Sequence, residues 1–112
     1  MDKLSNYQEI IEKVFLDFKN LLDTESNSEI LLSLDAERGQ YLLISDAWEE
    51  GSRYYQTLMH VELKADTSVW LRLDATDLEL GETLIKRGIE RKDIVAAFYS
   101  ETMRKYMKES LM

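Results

Sequence analysis

A chain of 112 residues is long enough for one modest core and too short for two, so residues 1–112 read as a single domain. Its 22 acidic residues outnumber 14 basic ones, a net charge of −8 with no basic run, which excludes direct non-specific nucleic-acid binding through neutralised phosphates. No apolar run reaches the ~18 residues of a membrane span, no export leader is visible, and no cysteine is available for disulfides, thiolate metal sites or a thiol nucleophile, so a cytoplasmic protein without a membrane segment is expected.

The amino end predicts a helix. Leu4, Tyr7, Ile11, Val14, Phe18 and Leu21 follow the three-and-four spacing of one helical face, with Ile10, Phe15 and Leu22 widening the stripe. Asp2 can cap its first turn and the helix should end near Asp23, too short for a coiled coil and suited to packing on a sheet. The polar TESNS segment is a loop. A short strand follows at Ile30 to Leu34, then a turn from Asp35 to Gly39. A second strand, Tyr41 to Trp48, is apolar on both faces and so expected in the interior of a sheet. Glu49 to Ser52 turn the chain back.

From Arg53 to Asp77 the pattern is that of two antiparallel strands and the start of a helix. Tyr55, Thr57, Met59, Val61 and Leu63 alternate onto a core face; Tyr54, Gln56, Leu58, His60 and Glu62 lie on the other. After Lys64 to Ser68 the alternation resumes with Val69, Leu71 and Leu73 against Trp70, Arg72 and Asp74. Pairing core with core sets Val61 opposite Leu71, which predicts His60 beside Arg72 and Glu62 beside Trp70. Thr76 and Glu79 have capping-box spacing for a helix carrying Leu80, Leu84 and Ile85, which Gly88 can stop. Ile94 to Phe98 is a short apolar segment that can add a fifth strand, and Ser100 can cap a last helix presenting Met103, Tyr106 and Met107. The fold class is therefore α+β: a four-stranded antiparallel meander with a short fifth strand available, an N-terminal helix, and one or two C-terminal helices packed on the side of Val61 and Leu71.

No residue set compels a reaction, and no motif calls for a cofactor or a metal. His60 is the single histidine, and a lone strand histidine is usually a hydrogen-bonded structural residue. Asp74, Asp77 and Glu79 resemble a divalent-ion cluster, but acids are also expected at a helix start. Trp70 is either a binding anchor or a side chain under a helix. Asp46 followed by Glu62 and Lys64 mimics a metal-dependent nuclease set, yet a turn near Gly51 puts Asp46 and Glu62 about 20 Å apart at ~3.3 Å per residue.

Trp48, Arg53, His60, the VWLRLDATD segment with Trp70, Asp74, Thr76 and Asp77, then RGIERKDIVAAFYS with Asp93 and Phe98, and finally Arg104 and Tyr106, resemble the XisI family. These are the cyanobacterial fdxN element excision controlling factors. The likeness runs from DKLSNYQEII to MRKYMKE and departs from the family pattern at Ala47, Asp77 and Glu101. It implies a small α+β protein without catalytic residues that accompanies excision of a DNA element during heterocyst differentiation, beside a site-specific recombinase and an XisH-like partner. The reading that follows is a binding module whose face bears Tyr54, His60, Trp70 and Arg72, with Trp48, and which holds the XisH-like protein or a second copy of itself as a homodimer. A metal-dependent nuclease and an antitoxin-like inhibitor of a nuclease partner are the alternatives.

Overall fold

The computed structural model describes residues 2–25, 27–100 and 102–103. Helix α1 (Lys3–Glu25) is followed by strands β1 (Glu29–Asp35), β2 (Gln40–Glu49), β3 (Ser52–Leu63) and β4 (Val69–Asp74), helix α2 (Leu80–Lys86), a 3-10 turn at Arg91–Asp93 and strand β5 (Ile94–Ala96). The five strands form one sheet in sequence order, β1-β2-β3-β4-β5. The first four make the expected antiparallel meander. β5 lies parallel to β4, so the sheet is mixed: the chain leaves the far end of β4, crosses back through α2 and enters β5 at the end where β4 began, which a hairpin could not do. It is also shorter than expected, and Phe98 beyond it is 49% exposed rather than buried.

Asp2 caps α1, its Oδ1 accepting the Ser5 N–H at 2.7 Å. Tyr7, Ile11, Val14, Phe15 and Phe18 bury one helical face against Ile30, Tyr41, Leu43, Met59, Val61, Val69 and Leu71. Leu21, counted in the stripe, is exposed; the helix passes the core there and Leu22 makes the partial contact instead. Leu80 and Leu84 of α2 close the same side. All the strand residues in this core lie on one face of the sheet, and among the described residues nothing is packed over the other.

Two bulges set what the second side presents. On the β2–β3 hairpin, Glu50 and Gly51 both take positive φ, 52° and 84°, in a two-residue turn of the type that suits the strand twist. Counting back from the turn, Trp48 pairs with Arg53, Asp46 with Tyr55 and Ile44 with Thr57, but Leu43 pairs with Met59. Leu58 is the extra residue. Strict alternation therefore fails across it: Tyr55 and Thr57, expected in the core, lie on the uncovered face, while Tyr54 and Gln56 move to the helix side. The second irregularity is on β4, where Val61 pairs with Leu71 and Glu62 with Trp70 as expected, but His60 pairs with Leu73. Arg72 is the bulged residue there, so His60 and Arg72 are not cross-strand partners.

The capping box expected from Thr76 and Glu79 does not form. Glu79 sits at the start of α2 with φ 54° and no side-chain cap. Asp74 does the capping from six residues earlier: its Oδ1 accepts from the Thr76 N–H and hydroxyl at 3.0 and 2.7 Å, and its Oδ2 from the Leu80 N–H at 3.3 Å. Gly88, φ 119°, ends α2 as expected, with the Ile89 N–H returning to the Leu84 carbonyl at 3.0 Å. Ser100 Oγ accepts the Met103 N–H at 3.2 Å, the expected cap; Tyr106 and Met107 of that helix lie outside the described residues, as do Glu101 and Arg104.

Candidate functional site

The uncovered face divides into two regions. Near the β3–β4 turn the side chains satisfy one another. Glu62 Oε1 accepts from the Arg72 Nη2 at 2.6 Å, and the Arg72 guanidinium lies 4.8 Å from the centre of the Trp70 ring. Lys64 Nζ stands 3.9 Å from the same ring, and the indole N–H donates to Ser68 Oγ at 2.9 Å. Trp70 is thus half-buried, neither under a helix nor free as an anchor. His60 Nε2 is 2.7 Å from Gln40 Oε1, within hydrogen-bonding distance. Burial depresses its pKa, the Arg72 charge depresses it further, and Glu62 works weakly the other way. The Arg72 hydrogen bonds hold the Glu62 carboxyl below its ordinary value.

The other region is the far end of the β2–β3 hairpin. Trp48, Tyr55 and Tyr54 are 70, 57 and 52% exposed, the three most exposed large hydrophobic side chains among the described residues. Trp48 and Tyr55 share the uncovered face with Asp46 and Arg53; Tyr54, opposite Ala47, is on the helix side, beyond the reach of α1. Arg53 clasps Asp46 with two hydrogen bonds, Nε to Oδ1 at 2.9 Å and Nη2 to Oδ2 at 2.8 Å, and its guanidinium sits 4.9 Å from the Tyr55 ring. Those bonds hold the Asp46 carboxyl below its ordinary value. The aromatic side chains are presented by an ordered frame.

The expected partner face is therefore split: His60, Trp70 and Arg72 at one end, Trp48 at the other, and Tyr54 on the opposite side. Tyr55 and Arg53 join Trp48, and the alternation could not reveal Tyr55 because the bulge intervenes. The signal was Leu58 itself, an apolar residue on an otherwise polar face. Of the remaining family positions, Asp74, Thr76 and Asp93 serve the fold. Asp74 and Thr76 build the turn into α2. Asp93 accepts the Tyr7 hydroxyl at 2.6 Å and pairs with Lys3 at 2.8 Å; burial alone would raise its pKa, but these two partners leave it lowered. Asp77 is exposed and makes no contact that explains its position.

Asp46 pairs with Tyr55 and Glu62 with Gln40, six positions apart on β2 or about 20 Å, and each carboxylate is engaged by its own arginine. Among the described residues no three His, Cys, Asp or Glu side chains come together as a metal site. No helix among those residues is long and apolar enough to cross a membrane.

The family model for the XisI protein matches residues 1–110. A crystal structure of a XisI-like protein from Anabaena variabilis is similar with a TM-score of 0.84 at 31% identity, over 93% of this chain and 94% of that one. The fdxN element excision controlling factor XisI from the same organism gives 0.79 at 23% identity, over 92% and 99%, a likeness of fold. No curated protein matches the sequence significantly.

Proposed function

The chain belongs to the XisI family, and from that premise we propose that it is a non-enzymatic accessory factor controlling excision of a DNA element, acting in the cytoplasm by holding an XisH-like partner beside a site-specific recombinase. The observation that carries this reading is the hairpin end. Three exposed aromatic side chains are crowded within eight positions on a frame fixed by a tight turn and the Arg53–Asp46 clasp. Large aromatic groups pre-ordered and left open supply contact area at little entropic cost, which is what interface anchors do. The sewn region around Trp70 has no such spare surface, so contact with the partner centres on Trp48 and Tyr55, which share the uncovered face, with Tyr54 on the other side of the hairpin tip.

Co-expression with the XisH-like protein of the same host tests it. Wild-type chain should co-purify with that protein, and Trp48→Ala with Tyr55→Ala should abolish capture while the variant keeps its thermal transition. Capture unchanged in the folded double variant removes the hairpin end from the reading. The acid excess also favours an inhibitory form of the same contact, since an acidic chain competes with DNA for a partner's basic surface. In that case adding the chain lowers the partner's activity on DNA; a controlling factor that assists excision raises it.

A further inference from the structure

The uncovered face between the two regions is a plate of its own. Ser33, Leu42, His60 and Leu73 align across four strands, and Leu31, Ile44 and Thr57 form the next row. Apart from exposed Ser33 these side chains are half-buried, with no helix of the described residues over them. Charge on this face is matched. Asp35 pairs with Arg38 at 3.2 Å, Asp46 with Arg53 at 2.8 Å and Glu62 with Arg72 at 2.6 Å; of the charges left, Lys64 lies over the Trp70 ring and Glu29 at the far end of β1, one of each sign. The net charge of −8 is therefore carried elsewhere on the chain.

We propose that two copies of the chain meet here, sheet on sheet across a two-fold axis, with Leu42 and Ile44 of β2 at the centre. Two molecules of charge −8 repel each other through any acid-rich side, whereas on this face Asp35, Asp46 and Glu62 each already carry an arginine, so a copy can approach with its carboxylates neutralised. A basic partner is drawn to the acid-rich sides instead. Four strands ~4.8 Å apart and about 20 Å of strand length make a plate of about 400 Å² before side-chain relief is counted, the size of a small, weak interface and about half of the ~800 Å² each partner gives to a standard one, which sets the micromolar range for the test. Self-complementarity needs one patch that is both apolar and charge-neutral, and the row of Leu31, Ile44 and Thr57 beside that of Leu42 and Leu73 supplies it. This surface is separate from the hairpin aromatics and does not depend on the partner assigned to them.

Sedimentation equilibrium of the full chain across the micromolar range tests the proposal. The expected mass is twice the 13.2 kDa of one chain, falling by half in Ile44→Glu and in Thr57→Arg with circular dichroism unchanged. Because the chain has no cysteine, single introduced thiols report the contact surface directly. Maleimide labelling of Thr57→Cys should slow as protein concentration rises, whereas Asn20→Cys on the exposed side of α1 should label at a constant rate. A wild-type monomer throughout that range overturns the proposal, and so does a dimer that persists in both charge variants or protects Asn20→Cys in place of Thr57→Cys. Ile44→Glu that is monomeric yet still captures the XisH-like protein, and Trp48→Ala that dimerises without capturing it, keep this surface and the hairpin end apart.

Discussion

Trp48 and Trp70 lie on the same face of the same sheet and differ in almost everything that matters for recognition. Trp70 has a hydrogen bond to Ser68 and two cations against its ring, one of them held by Glu62. Trp48 is 70% exposed, and among the described residues it has no hydrogen-bond or ring partner. Residue type and face do not distinguish a recognition surface from a stabilising cluster; whether the contacts are already satisfied within the chain does.

The sharpest separation comes from removing each aromatic group in turn. Trp48→Ala combined with Tyr55→Ala should weaken binding of the XisH-like partner by about 100-fold, near 2.7 kcal/mol, as expected when paired anchors are truncated. Titration calorimetry measures the loss, and the urea midpoint should hardly move, because these rings contribute little to the core. Trp70→Ala should do the reverse. Losing its half-buried ring and two cation contacts should cost roughly 2 kcal/mol of folding stability, seen as a lower urea midpoint, with partner affinity nearly intact. If both variants lose binding equally, the division between the two regions is wrong.

A weaker effect tests how the hairpin end is ordered. Arg53→Met leaves the aromatic side chains in place but removes the clasp on Asp46, so partner affinity should drop only about fivefold, the loss of orientation rather than of contact area. The same substitution should return the Asp46 carboxyl to its ordinary range, since hydrogen bonds from Arg53 are the leading cause of its depression. Carboxyl chemical shifts followed against pH give that value. The sign is that of a depressed carboxylate: the wild-type contribution is present at neutral pH and lost as pH falls through the lowered value, and the variant lacks it throughout.

What was legible in the sequence was local. The Glu50–Gly51 reversal, the Val61–Leu71 register and the neighbourhood of Glu62 and Trp70 follow from alternation and turn residues, because each rests on contacts a few positions from a hairpin. The bulges at Leu58 and Arg72 leave the period-two pattern intact in letters while reversing it in space, which is why Tyr55 was assigned to the core and Tyr54 to the open face. The direction of β5 depends on where α2 delivers the chain, a matter of packing over Leu80 and Leu84 that no local pattern encodes. The α2 cap departs from the sequence pattern for a similar reason: Asp74 reaches forward six residues, outside the spacing of a capping box.

His60 provides the smallest test, and it bears on the sewn region and the row of Leu42 and Leu73 beside it. Burial first, and Arg72 second, lower its folded pKa beneath the ~6.5 of an unfolded chain. As pH falls below 6.5 the unfolded chain therefore takes up the proton before the folded one does. Stability present at neutral pH declines until His60 itself protonates, then stays level until the carboxylates titrate near pH 4. The urea midpoint should fall with a shallow slope as pH drops through and below 6.5, a slope that His60→Gln removes. Measuring it in the Ile44→Glu background keeps self-association out of the result. Arg72→Ala should reduce the slope in the same window, because it removes a charge that opposes protonation and frees Glu62 to favour it. Partner binding through Trp48 and Tyr55 should stay level across that window, since the only histidine of the chain lies in the other region. A matching pH dependence of partner binding would mean that the two ends of the face act together.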